Sequence, residues 1–283
     1  MTRLESASFR NLNFRDMMQQ LELADGDTYA LGPLRVTVES PSALRGPALR
    51  KGQRSAQREP AEVVDRHSEV AGERQALLAA PGGNRSPLYQ CAKRIVDLVG
   101  AGTLLVVLSP LLLVTWAVLM ITTKGKPFFA QTRYGLCGTP FRLFKFRTMV
   151  SNAEDLRHLI QRDGPVFKKR GNADPRITGI GAFLRKTSID ELPQLINVLL
   201  GKMSLVGPRP LSCGVDKFET WQLERLQVKP GLTCVWQVSG RSEICFHEWM
   251  LMDLWYVRHQ SLLIDAKLLW CTPRTVLSCR GAG

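Results

Sequence analysis

From Leu98 to Thr123 the chain carries 26 consecutive residues without a charge. About 20 apolar residues suffice to cross a bilayer. A core helix of a soluble protein rarely runs this long without one ionisable side chain, so the run predicts membrane insertion. Ser109 and Pro110 lie near its middle. Proline removes a backbone donor and clashes with the preceding turn, which predicts two half-helices rather than one rod. Each half reaches roughly 18 Å at helical rise, near half the membrane thickness. Lys93 and Arg94 precede the run, and Lys124 and Lys126 follow it. Positive charge marks the cytoplasmic side, and here it marks both ends. A re-entrant helical hairpin that turns at Ser109-Pro110 satisfies both flanks. A kinked spanning helix, with the N-terminal region outside, is the alternative.

Charge divides the chain. The net charge is +13, from 38 Lys and Arg against 25 Asp and Glu. Residues 1–92 hold 12 basic and 11 acidic residues, and residues 93–283 hold 26 and 14. The basic field therefore belongs to the second part. Such a field attracts nucleic acid, anionic lipid or phosphorylated small molecules. A nucleic-acid binder has no use for the uncharged run, so we expect no nucleic-acid partner. Apolar residues make up 45%, which excludes a wholly disordered chain. The seven cysteines include no C-x-x-C pair, and with four histidines they give no support for zinc. Scattered thiols suit a reducing compartment. The polar, mixed-charge start gives no sign of a secretory signal.

Three regions follow. Residues 1–90 read as a poorly ordered or small accessory region, with a short amphipathic helix at 9–23, a strand or two at 28–38 around Gly32-Pro33, and a linker over 40–86. Residues 91–124 carry the uncharged run, as a re-entrant hairpin or a kinked span. Residues 125–283 form a basic domain that stays close to the membrane surface. Within it we expect short strands or irregular chain at 128–149, a polar helix at 151–162, a loop at 164–182, and an amphipathic helix at 188–200. Further helices are expected at 214–227, 245–258 and 262–277. The fold class is thus mainly α with short strands. Phe246, Trp249, Trp255, Tyr256 and Trp270 suit either an aromatic core or a helical surface lying in the headgroup zone.

Chemistry concentrates in a few places. Asp190 and Glu191 are adjacent carboxylates preceded by Arg185 and Lys186. Ser188 with Glu191 reads as a capping box, yet that leaves Pro193 inside the helix, where its missing donor costs a hydrogen bond. A helix starting nearer Asp190 suits the proline better and sets both carboxylates at a helix N-terminus. Gly207-Pro208-Arg209-Pro210 holds one arginine in a stiff turn, a good phosphate fork. Lys145-Phe146-Arg147-Thr148-Met149 alternates cations with apolar residues, as a half-buried strand also does. No Gly-rich phosphate motif is present.

In this order the motifs resemble the bacterial sugar transferase family, the monotopic phosphoglycosyl transferases. The likeness runs through Lys93-Arg94 with Asp97, Ser109-Pro110, Gln131 and Arg133, Lys145 to Met149, and Asp174-Pro175-Arg176. It continues through Arg185-Lys186-Thr187-Ser188, Asp190-Glu191-Leu192-Pro193-Gln194 and Met203 to Pro210. Lys229-Pro230-Gly231, Trp236 to Arg241, Asp253, Tyr256 and Asp265 complete it. It covers about residues 91–280, and residues 1–90 match none of it. The resemblance implies transfer of a sugar 1-phosphate from a UDP-sugar to polyprenyl (undecaprenyl) phosphate, with release of UMP, at the start of exopolysaccharide or other glycoconjugate synthesis. It implies Asp190 as the nucleophile that forms an aspartyl-phosphosugar, Glu191 as a ligand of Mg²⁺, and Lys145 as a supporting catalytic cation. Arg185, Arg209, Arg147 and Arg241 become substrate-binding residues, with Arg209 on the nucleotide side. It also implies that residues 91–124 are a re-entrant membrane helix turning at Ser109 and Pro110, that residues 125–283 are a catalytic domain facing the cytoplasm, a place in the bacterial inner membrane, and a second copy of the chain as a candidate partner. Lys202, Cys234, Gly179, Ala182 and the C-terminal residues 278–283 depart from the family pattern and leave the reaction class untouched. A catalytically idle membrane adaptor for glycosyltransferases is the rival reading. The sugar, glucose or galactose, is not fixed by these residues.

Overall fold

Pro110 ends one helix and begins another. α1 spans Pro87–Val107, 21 residues, and α2 spans Ser109–Thr122, 14 residues. Pro110 sits in the first turn of α2, where its missing N–H has no intrahelical partner to lose. Ser109 Oγ donates to the Val106 carbonyl at 2.7 Å and satisfies one of the open carbonyls at the end of α1. The two helices bend by 62° across Leu108. Among the described residues no single helix is long and apolar enough to cross a membrane, whereas the bent pair together has that length and composition. The expected hairpin is therefore an open bend.

The structure, a computed structural model, describes residues 28–31, 34–37, 72, 74–79, 82–83, 86–150, 152–156, 174–240 and 244–277. The chain divides into two units, Met1–Ser68 and Glu69–Gly283. In the first, β1 (Thr28–Leu31) pairs antiparallel with β2 (Leu34–Thr37), a hairpin on either side of Gly32-Pro33 as that dipeptide predicts. The helix expected at 9–23 lies outside the described residues. Part of the expected linker belongs to the second unit. Arg74 donates to the Phe218 carbonyl at 2.7 Å and the Val215 carbonyl at 3.1 Å, and Gly82 N–H reaches the Gln227 carbonyl.

The bent pair has an anchored foot and bare arms. Asp97 is buried and accepts from Ser204 Oγ at 2.9 Å and from Leu205 N–H at 2.8 Å. Lys93 donates to Asp265 at 2.8 Å, to the Val206 carbonyl and to Tyr256 Oη. Arg94 donates to the Val198 and Leu199 carbonyls, satisfying the open end of α4 (Gln194–Leu199). Lys93 and Arg94, the two cations ahead of the run, thus hold the pair to the rest of the chain, a role beyond marking a membrane side. Farther out, Val106 is 74% exposed and Ile121 82% exposed, and Val107, Leu113 and Val114 are exposed with them.

The remaining elements are short. β3 (Phe128–Tyr134) and β4 (Pro140–Phe146) form an antiparallel hairpin that pairs Phe129 with Lys145. On the free edge of β4, Asn197 accepts from Phe144 N–H at 3.0 Å and donates to the Arg142 carbonyl at 2.8 Å. One side-chain amide there replaces a neighbouring strand. α3 (Gly179–Lys186) is N-capped by Thr178, whose Oγ1 accepts from Gly181 N–H at 3.0 Å. A Cβ on Gly181 would lie 2.0 Å from the Thr148 carbonyl oxygen, so only glycine lets α3 come this close. β5 (Ser204–Val206) pairs in parallel with β6 (Gly231–Thr233), and α5 (Val235–Ser239) follows. α6 (Phe246–His259) and α7 (Leu262–Leu277) match the helices expected there.

Four expectations change, the first being the loop expected at 164–182, whose last four residues open α3 at Gly179. The segment expected as one helix at 214–227 is two 3-10 stretches, Val215–Lys217 and Thr220–Gln227. The helix expected at 188–200 begins only at Gln194, because Pro193 is tolerated just ahead of a helix and not inside one. Of the polar helix expected at 151–162, residues 152–156 form a turn and a short 3-10 stretch, and residues 157–162 lie outside the described residues. The aromatic residues split between the two alternatives: Trp249 and Tyr256 are core, whereas Trp270 is 87% exposed.

Candidate functional site

The Asp-Glu pair sits in a 3-10 turn, Ile189–Glu191, between α3 and α4. Ser188 enters that turn in the left-handed region at φ 57° and makes no capping bond, so the capping-box expectation fails. A non-glycine residue held there stores backbone strain next to the carboxylates. Packing supplies the constraint. Ile189 lies against Leu119, Phe146 and Leu184, joined by Leu112 and Ile180. This cluster gathers α2, β4, α3 and the turn, so the carboxylates are fixed directly beside the uncharged arm.

Glu191 is committed to cations. Oε1 accepts from Lys145 Nζ at 2.6 Å, and the Arg209 guanidinium grips both oxygens, with Nη1 3.0 Å from Oε2 and Nη2 on Oε1. Burial alone would raise this carboxyl, but Arg209 and then Lys145 outweigh it and hold it well below the usual range. Arg209 also lies over the Trp236 ring at 5.9 Å, and Trp236 stacks on Trp249.

Asp190 differs from its neighbour. It is 6% exposed, and among the described residues no hydrogen bond reaches its carboxylate. Its nearest cation is Lys145, 4.0 Å away. Burial pushes its pKa up to about 6, with Glu191 adding to the rise and Lys145, Arg185 and Arg209 opposing it. Two adjacent carboxyls thus have opposite shifts, as acid-base and nucleophilic sites require. Arg185 extends from the last turn of α3, its Nε donating to Thr148 Oγ1 at 2.9 Å. Asp174 and Arg176 pair on the preceding loop at 3.0 Å.

Of the residues expected in the site, Asp190, Glu191, Lys145, Arg185 and Arg209 converge. Arg147 stands apart, with its guanidinium on the Lys126 and Phe128 carbonyls. Arg241 lies outside the described residues. Thr148 and Arg225 were not expected. Arg225 Nη2 donates to the Arg209 carbonyl at 2.6 Å while pairing with fully buried Asp253. Nothing in the local pattern Glu224-Arg225-Leu226 marks that arginine as different from a solvated one.

The carboxylates also bear on Mg²⁺. Among the described residues no three His, Cys, Asp or Glu side chains converge as a metal site. Mg²⁺ needs no such cage, being commonly held by one or two carboxylates together with substrate phosphates. Among the described residues no hydrogen bond takes up the Asp190 lone pairs, and Glu191 Oε2 accepts one. Asp190 and the remaining lone pair of Glu191 Oε2 are the groups that could hold Mg²⁺ together with a substrate phosphate.

The bacterial sugar transferase family model matches residues 88–279. The chain is 38% identical over 200 residues to an undecaprenyl-phosphate galactose phosphotransferase of Salmonella typhimurium, covering 67% of this chain and 41% of the relative. It is 36% identical over 221 residues to a UDP-glucose:undecaprenyl-phosphate glucose-1-phosphate transferase of Caulobacter vibrioides, covering 74% and 78%. It is 35% identical over 203 residues to the exopolysaccharide production protein ExoY of Rhizobium meliloti, covering 69% and 90%. Against the galactose-type relatives the chain spans about two fifths of their length.

Proposed function

Because the chain belongs to the bacterial sugar transferase family, we propose that it transfers a sugar 1-phosphate from a UDP-sugar to undecaprenyl phosphate and releases UMP. The observation that carries this reading is the contrast within the pair. Glu191 gathers the cations, while Asp190 keeps an unbonded carboxylate beside them. In the first step an Asp190 oxygen bonds to the β-phosphorus and the bond from that phosphorus to the bridging oxygen breaks, so UMP leaves with the electron pair. In the second, a polyprenyl phosphate oxygen attacks the same phosphorus and frees Asp190. A carboxylate approaching a diphosphate is opposed by charge, and Lys145, Arg185 and Arg209 remove that opposition. A pKa of about 6 leaves Asp190 ionised at neutral pH yet more basic than an ordinary carboxylate. Mg²⁺ held by Glu191 and the donor phosphates would neutralise charge on the transferring group.

We further propose that the bent pair enters the cytoplasmic leaflet of the inner membrane and returns. Its uncharged part of α1 reaches only about 15 Å and α2 about 21 Å, each short of a bilayer core of about 30 Å. Val106, Leu113 and Ile121 leave most of their apolar surface uncovered. The cluster of Leu119 with Ile189 then sets Asp190 beside the surface where a polyprenyl phosphate headgroup lies. Nothing favours the idle-adaptor reading, since an adaptor needs no paired cations around Glu191. A panel of UDP-sugars with undecaprenyl phosphate, read by UMP release, tests the proposal. Release with one sugar and none without the lipid is the expected result. No release from any member with the protein folded in membranes overturns it.

A further inference from the structure

Arg209 stands where the chain leaves the β5–β6 ladder. Gly207 N–H still bonds to the Thr233 carbonyl, and the Pro208 carbonyl accepts from Gly231 N–H. Beyond that point the two prolines offer no N–H, so main-chain pairing cannot fix the turn. Side chains hold it. The Arg209 carbonyl accepts from Arg225 at 2.6 Å and the next carbonyl, Pro210, accepts from Arg133 at 3.1 Å. The two guanidinia come from different elements. Arg225 is fixed by Asp253 on α6 at 2.6 Å, and Arg133 on β3 is fixed by Gln131 Oε1 at 2.8 Å. Arg133 makes no ion pair among the described residues, faces the like charge of Arg209, and leaves its buried Nε without a partner. A neutral donor would hold one carbonyl at lower electrostatic cost. A planar fork that bridges Gln131 and Pro210 at fixed angles needs arginine.

We propose that Arg133 and Arg225 are positioning residues, a two-point clamp on consecutive carbonyls that aims the Arg209 guanidinium at Glu191 and at the diphosphate of the donor. The proposal rests on the phosphosugar-transfer reading above. Its test uses R133K and R225K in the full chain in membranes, since lysine keeps the charge and loses the fork. The KM for UDP-sugar should rise about tenfold in each, while the KM for undecaprenyl phosphate stays at the wild-type value. In an R209K background neither variant should raise the UDP-sugar KM further, because each acts through Arg209. A loss of folded protein lowers apparent kcat and leaves both KM values alone. If R225K fails to fold, R133K carries the same measurement outside the buried Arg225–Asp253 pair. Unchanged UDP-sugar KM in folded R133K, or full multiplication of its effect on R209K, overturns the clamp. A wild-type protein that releases no UMP instead removes the transfer reading, and the clamp with it.

Discussion

At the scale of single residues, the site rests on unequal treatment of two neighbouring carboxylates. Raising Asp190 to about 6 means that its ionisation opposes folding. With the folded value above the unfolded one, the protonated form favours the native state. That contribution is fully present below about pH 4 and is lost as pH rises through about 6. Asp190→Asn should therefore abolish UMP release and yet stabilise the protein, by about 2–3 kcal/mol above pH 7 and by nothing near pH 4. Thermal melts in chelator across that range check it, and wild-type turnover in the folded variant would remove Asp190 as nucleophile. Glu191→Gln behaves oppositely. It leaves Lys145 and Arg209 without their anion, so we expect a loss of about 3–5 kcal/mol together with a higher Mg²⁺ requirement. A normal Mg²⁺ titration of this variant would remove Glu191 as a metal ligand. Asp190, Glu191 and Arg209 were legible because charged side chains beside prolines in turns have few structural uses, whereas Lys145, on a strand whose alternation looks ordinary, entered the site only through the family resemblance. Arg225 was not legible, since its function depends on a buried partner 28 residues away that no local spacing reveals.

At the scale of elements, Ser109 and Pro110 do separate work: Ser109 satisfies a carbonyl at the end of α1, and Pro110 prevents its continuation. Replacing the dipeptide by Ala-Leu should join the two helices into one apolar rod long enough to span. A membrane-impermeant reagent should label positions near Ala92 and Lys126 from the same side in the wild type and from opposite sides in the variant. Same-side labelling in both would show that the dipeptide does not set re-entry. The uncharged run, the β1–β2 turn and helices α6 and α7 could be read from periodicity and punctuation. The helix at 188–200 could not be placed correctly, because its start depends on which of Ser188 and Pro193 yields. The structure resolves that conflict with a left-handed serine and a 3-10 turn. The 3-10 stretches at 215–227 were missed because their apolar spacing imitates an α-helix over so short a span.

At the scale of the whole molecule, the catalytic elements all lie in the unit beginning at Glu69. Composition and the reach of the family likeness put the accessory region at residues 1–90, and within it Arg74 and Gly82 are bonded to the segment that carries Arg225. A chain beginning at Glu69 should keep wild-type UMP release, while one beginning at Ser86 should lose several degrees of melting temperature. Lost turnover in a folded chain beginning at Glu69 would give residues 1–68 a part in the site. The 62° bend has a consequence for the lipid as well as for the protein. On the re-entry proposed above, the pair is a wedge in one monolayer that adds area to that sheet and none to its opposite, so it relieves packing tension wherever the membrane bulges toward the cytoplasm. Partitioning should accordingly increase from large flat vesicles to small curved ones. On that proposal the protein gathers on the outward-curving lipid of such vesicles, and the geometry that would give it access to a buried-tail substrate also decides where on a membrane it works.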